Sequence, residues 1–220
     1  TVAGDVNNDG KVDLVTVVPP AQGDTREVVA LLGNGDGGFS APIDAFDFNF
    51  IYNPWDSYAL EDLNGDGKLD LVLAPGFGYQ IGIFPGNGDG TFAQPAYYPV
   101  NNQYQGGAYG ISVVDFDGDG VFDVLSEREF TLNAQSENAL LLYAGLGDGT
   151  VKALGASSGS QGTLNGWTAH TSLVLADFNG DGRIDIAAMS NLGDSPIEIL
   201  KGAELPLLQV SINHNGSFVA

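Results

Sequence analysis

The sequence predicts an all-β chain assembled from four copies of one four-stranded antiparallel unit. Three observations predict it. A nine-residue acidic phrase occurs four times, starting at residues 5, 62, 115 and 177. A glycine-rich Asp-Gly phrase recurs in step with it. The stretches between them are short apolar or β-branched runs bounded by turn residues, with no helical period. A repeat of 50 to 60 residues containing only strand signals suits a propeller blade or a similar stacked unit.

The acidic phrase reads DVNNDGKVD, DLNGDGKLD, DFDGDGVFD and DFNGDGRID. Its first, third, fifth and ninth positions carry oxygen: Asp5, Asn7, Asp9 and Asp13; Asp62, Asn64, Asp66 and Asp70; Asp115, Asp117, Asp119 and Asp123; Asp177, Asn179, Asp181 and Asp185. Alternate residues of a tight loop can aim their oxygens at one point. Carboxylates so crowded repel unless a hard cation lies among them, and Ca²⁺ tolerates the irregular oxygen shell that Mg²⁺ does not. The glycine at the sixth position permits the sharp turn, with φ expected positive. The seventh residue (Lys11, Lys68, Val121, Arg183) varies in character, as expected where only its backbone carbonyl binds. Four calcium sites are therefore expected. An EF-hand is excluded, because its twelfth position needs a bidentate Glu. Here that position holds Thr16, Leu73, Ser126 or Ala188.

The formal net charge of −21 has the same source, since these loops hold nearly half of the 28 acids. Seven scattered Lys and Arg form no phosphate-tracking patch, so nucleic acid is not an expected partner. No apolar run approaches 18 residues, so no membrane span is expected, and no signal peptide is evident. Cysteine is absent, and calcium at external concentrations can staple the fold where disulfides do not. The expected location is secreted or at the cell surface.

Each unit resolves into four strands. The first uses Thr1 to Gly4, Val12 to Val18, Glu27 to Leu32 and Phe39 to Phe48. The second uses Ser57 to Glu61, Leu69 to Ala74, Gly78 to Phe84 and Phe92 to Pro99. Gly110 to Val114, Phe122 to Glu127, Ala139 to Tyr143 and Val151 to Leu154 form the third. Ser172 to Ala176, Ile184 to Met189, Ile197 to Leu200 and Leu207 to Ile212 form the fourth. The third and fourth strands of units one to three are joined by the turns that begin at Gly33, Gly86 and Gly145, where Asp-Gly signals a hairpin. In the last unit Gly202-Ala203-Glu204-Leu205 takes that place. Second strands apolar on both faces fit sheets stacked on two sides, which favours radially packed blades over a sandwich.

This pattern resembles the FG-GAP and VCBS repeats, the calcium-bearing blades of integrin α-subunit propellers and of lectins such as that of the mushroom Psathyrella velutina. The resemblance spans essentially the whole chain. It implies a single β-propeller domain over residues 1–220, with blades at about 1–50, 51–103, 104–165 and 166–220. It also implies calcium ligation by the four quartets named above. Propellers of this family usually carry seven blades and this chain supplies four, so a closed four-bladed ring is the expectation, with a fragment of a larger propeller or self-association of blades with another copy as alternatives.

In such a meander the acidic loops and Asp-Gly turns share one rim. The other rim gathers the long connections: 19–26, 49–55, 101–105, 157–170 and Glu127 to Phe130. Loops on a rigid frame commonly carry recognition. Tyr52, Trp55, Tyr104, Trp167 and His170 are the candidate ligand-binding residues, since aromatic faces beside Asn and Gln suit sugar rings. The plainer reading is that these aromatics plug gaps between blades. The function expected is a non-catalytic, calcium-stabilised recognition module for carbohydrate. One alternative is an adhesion module for a cell-surface or extracellular protein. The other is a carbohydrate-active enzyme or its accessory domain, with Glu127 or Glu129 opposite Asp56 as its carboxyl pair. His170 and His214 are the only imidazoles, and no nucleophile–base pair is evident.

Overall fold

In the computed structural model, which describes residues 1–18, 26–48, 57–74, 80–99, 108–132, 135–157, 173–189 and 197–200, the repeats become four antiparallel meanders. The first sheet contains β1 (Val2–Gly4), β2 (Asp13–Val18), β3 (Arg26–Leu31) and β4 (Ile43–Phe48). The second contains β5 (Ser57–Glu61), β6 (Asp70–Ala74), β7 (Gln80–Phe84) and β8 (Ala96–Pro99). The third contains β9 (Ala108–Val114), β10 (Asp123–Leu132), β11 (Gln135–Gly145) and β12 (Val151–Ser157). The fourth contains β13 (Leu173–Ala176), β14 (Asp185–Met189) and β15 (Ile197–Leu200). Strands lie side by side in chain order within every sheet. The expected strand at 207–212 falls outside the described residues. No helix among the described residues is long and apolar enough to cross a membrane.

Two strands start later than the sequence predicts. Phe39 and Phe92 make only single bridges, to Gly33 and Gly86, and pairing resumes at Ile43 and Ala96. Pro42 and Pro95 lie in the gaps. Proline has no N–H to give a ladder, so it interrupts the strand. No proline follows Val151, and β12 begins there.

The third sheet requires a correction. Glu127 to Phe130 were expected in a loop, yet β10 runs on to Leu132 and pairs with β11 as far as Leu132 opposite Gln135. Among the described residues β9 pairs with β10 as far as Arg128, and β12 pairs with β11 as far as Leu140. Beyond them the hairpin is a two-stranded ribbon. Its charged sequence reads as a loop, but pairing with β11 makes it strand.

Successive sheets pack face to face through alternating side chains. Leu71 and Leu73 on β6 join Val15, Val28 and Ala30 of the first sheet. Their chain neighbours Val72 and Ala74 join Val124, Leu141 and Tyr143 of the third. Leu125, Leu140 and Leu142 then meet Ile186 of the fourth. A middle strand must therefore be apolar on both faces, and β6 is buried throughout. First strands of adjacent sheets also neighbour one another, and the Ile111 N–H on β9 donates to Ser57 Oγ on β5 at 2.9 Å.

The described residues do not close the expected ring of four. Among the described residues each buried cluster joins consecutive sheets, and none joins the first sheet to the fourth.

Phe84 sits at the first stacking interface, fully buried, edge-on to Phe46 with centroids 5.2 Å apart. Phe84→Ala should destabilise the chain by about 3–5 kcal/mol. Urea unfolding would measure this, and a loss below about 1 kcal/mol would mean that the interface does not pack tightly.

Candidate metal centres

All four acidic loops join the first strand of a sheet to the second, and all share one hydrogen-bond scheme. In the first loop Asp5 Oδ1 and Asn7 Oδ1 both accept from Asp9 N–H, at 3.1 and 3.0 Å, and Asp5 Oδ2 accepts from Gly10 N–H at 2.8 Å. The Lys11 N–H donates to Asp9 Oδ1 at 2.9 Å. The other loops repeat these bonds through Asp62, Asn64 and Asp66, through Asp115, Asp117 and Asp119, and through Asp177, Asn179 and Asp181. Lys68, Val121 and Arg183 likewise give their N–H to the fifth-position Asp.

The sixth-position glycines have φ between 81° and 86°, as the sequence predicts. The fourth position is left-handed as well: Asn8 at 59°, then Gly65, Gly118 and Gly180 at 71° to 79°. Its composition, one Asn and three Gly, was a readable signal, because these residues enter that region at least cost.

The ninth-position aspartates behave differently from the rest. Asp13, Asp70, Asp123 and Asp185 are buried. Oδ2 of each accepts the N–H of the loop's second residue (Val6, Leu63, Phe116, Phe178) at 2.9 to 3.1 Å. In the first three sheets Oδ1 accepts the N–H of Gly33, Gly86 or Gly145, which opens the Asp-Gly turn, at 2.7 to 2.9 Å. One carboxylate thus fastens two turns together. The turn is pressed so close that a Cβ on Gly86 would lie 2.2 Å from Leu69 O, which leaves no room for any side chain. These turn glycines are functional residues that sequence reasoning passed over.

The donor set suits a hard divalent cation. In the third loop carboxylate oxygens of Asp115, Asp117 and Asp123 lie within 4.8 Å of one another. A carboxylate oxygen that accepts one N–H keeps a second lone pair for an ion. Desolvation is the main cause that raises the Asp70 and Asp123 carboxyls above the usual range, two backbone N–H bonds oppose it, and the charges of Asp62 and Asp66, or of Asp117 and Asp119, raise them further. That repulsion is what a cation would relieve. The loops also differ in net charge. Lys11 Nζ lies 3.1 Å from Asp9 and Lys68 Nζ 4.0 Å from Asp66, whereas the third loop has Val121 there and four acids.

The candidate ligand residues Tyr52, Trp55, Tyr104, Trp167 and His170 lie outside the described residues, as do Asp56 and His214. The backbone of Glu129 lies in the β10 ribbon.

Stacked four-stranded meanders, each carrying one acid-rich loop between its first two strands, define a blade-repeat protein. The family model for the FG-GAP-like repeat matches residues 5–73, 62–126 and 130–188, and the chain belongs to that family. No curated protein matches it. Among solved structures it is similar to a lectin of Agrocybe aegerita described for specific recognition of non-reducing terminal N-acetylglucosamine, at 17% identity and a TM-score of 0.42. The match covers 96% of this chain and 63% of the lectin chain, so the chain spans less than two thirds of that protein's length.

One further carboxyl stands apart from the loops. Glu127 lies across Gly110 of β9, and burial pushes its pKa up to about 7. The folded chain therefore holds a proton that the unfolded chain, near 4.5, has released. Stability from this group falls as pH rises from about 4.5 to about 7, and above that the whole cost is present. Glu127→Gln should be nearly neutral at pH 4.5 and stabilising by roughly 2–3 kcal/mol at pH 8. Urea unfolding of both proteins across that range, at saturating calcium, checks the sign, and a difference independent of pH would contradict it.

Proposed function

We propose that this chain is a non-catalytic, calcium-fastened recognition module of β-propeller type, in which the ions are structural and carbohydrate binds at the rim opposite them. The observation that carries the calcium reading is the oxygen-only donor cluster of Asp115, Asp117 and Asp123, set in a loop scheme that occurs four times. Asp5, Asn7, Asp9 and Asp13 with the Lys11 carbonyl, and their counterparts in the other loops, would hold one Ca²⁺ each. The ion would supply only charge neutralisation and coordination, since every acid of the phrase is engaged within its own repeat. Calcium at external concentrations would load such sites, so secretion or the cell surface is the proposed location.

The recognition reading is supported by strand direction. Acidic loops leave the ends of β1, β5, β9 and β13, and the Asp-Gly turns leave the same side of the first three meanders. The connections bearing Tyr52, Trp55, Tyr104, Trp167 and His170 leave the other side, where the β10–β11 ribbon also projects. Aromatic faces next to amide side chains are suited to the C–H faces and hydroxyls of a sugar.

Ligand charge tunes calcium affinity. Calorimetric titration should therefore find four sites, the third the tightest, and Asp117→Asn should bring that one down among the others. EGTA should lower the melting temperature by about 10 °C or more, because each ion held at a hundred times its Kd adds about 2.7 kcal/mol. An unchanged melting temperature would refute the structural role.

A glycan array probed at saturating calcium tests the rim. Binding should be lost in Trp55→Ala and Trp167→Ala variants that melt like the parent. No binding to any glycan would turn the reading toward a protein partner.

A further inference from the structure

We propose that Asn8 couples calcium binding in the first acidic loop to calcium binding in the second, so that the two sites fill together. The inference rests on the calcium reading above and adds a positioning residue outside its ligand set. Asn8 is the fourth residue of its phrase, where the other loops have Gly65, Gly118 and Gly180. Its φ is 59°, in the left-handed region, which Asn enters at less cost than most side chains and glycine enters freely. The turn itself would thus be served as well by glycine. What the side chain adds is a bond to the neighbouring loop: Asn8 Nδ2 donates to Gly67 O at 3.1 Å.

Each end of that bond is one peptide unit away from a proposed ligand. The peptide between Asn8 and Asp9 gives its N–H to Asp5 Oδ1 and Asn7 Oδ1, at 3.1 and 3.0 Å. The peptide between Gly67 and Lys68 accepts from Asn8 at its oxygen and gives its N–H to Asp66 Oδ1 at 2.9 Å. Gly67 N–H donates to Asp62 Oδ2 at 2.8 Å, and Lys68 is the residue whose carbonyl would bind the second ion. Hydrogen bonds in series polarise and orient one another. An ion that orders the first loop therefore fixes Asn8, and Asn8 fixes the peptide beside the second site. Linkage makes the effect reciprocal. The placement recurs further along the chain without the amide. A Cβ on Gly118 would lie 3.7 Å from Gly182 O, so the fourth position of the third loop also faces the sixth carbonyl of the next. The third and fourth loops, lacking the side chain, serve as internal references.

Calcium titration of the full chain, followed by NMR at the amides of Gly10, Gly67, Gly120 and Gly182, reads the four loops separately. Asp5→Ala, which strips a ligand from the first loop, should weaken calcium binding at the second about fivefold or more. In an Asn8→Gly background the same substitution should leave the second loop unchanged. Asn8→Gly keeps the backbone bond from Gly90 N–H to Val6 O, which joins the same two sheets. The third and fourth loops should bind as in the parent throughout. Asp9→Ala serves if Asp5→Ala fails to fold. A second loop indifferent to Asp5→Ala, or one that weakens equally in the Asn8→Gly background, would overturn the coupling and leave the calcium sites standing. Equal weakening of the third and fourth loops would overturn it too, as a general loss of stability. Amides that do not respond to calcium at all would overturn both the coupling and the calcium reading.

Discussion

A single buried carboxylate per repeat holds the arrangement together. Asp13, Asp70 and Asp123 each accept two backbone N–H groups, one from the acidic loop and one from the Asp-Gly turn. Both N–H groups turn to the carboxylate, and leaving either unsatisfied would cost about 1–3 kcal/mol. Burying the charge opposes this, as the raised carboxyls of Asp70 and Asp123 show. Asn could not replace it, since an amide offers one acceptor oxygen where two are needed. The ninth position is therefore Asp in all four phrases, whereas the third accepts Asn or Asp.

From that carboxylate a chain of contacts runs outward to sheet stacking. The Asp-Gly turn of the second sheet is fixed on one side by Asp70 and on the other reaches the first sheet through Gly90 and Phe92. In the third sheet the turn fixed by Asp123 brings Gly149 against Asn64 of the second loop. Loop electrostatics and the spacing of neighbouring sheets are consequently linked. Adjacent acidic loops touch as well: Asn8 Nδ2 donates to Gly67 O at 3.1 Å. Neutralising one loop thus steadies a junction and not merely a turn.

The sequence was most legible where chemistry is local. The oxygen spacing of the loops, the sixth-position glycines and the all-β meanders can be read from short windows, because each depends on a turn or a period of two. The strand Ser57 to Glu61 emerges with the bounds its sequence predicts. Legibility failed where a distant partner decides. Gly86 reads as an ordinary turn glycine until Leu69 O is seen against it. Ring closure was taken from resemblance and count, but whether a sheet face is covered depends on which sheet comes next, and Phe178 looks in sequence just like Phe116. The β10 extension escaped notice because charge usually marks loops, whereas here pairing with β11 decides.

The division between rims follows from this coupling. The four acidic loops share one hydrogen-bond scheme and are tied into the stacking, so they have little freedom to vary and cannot by themselves distinguish one ligand from another. A substitution that reshaped one would disturb the carboxylate, its turn and the next sheet together. The connections assigned to the opposite rim differ in length and composition. Sequence is free to vary only where it is released from holding the fold, and the acidic loops are not such a place.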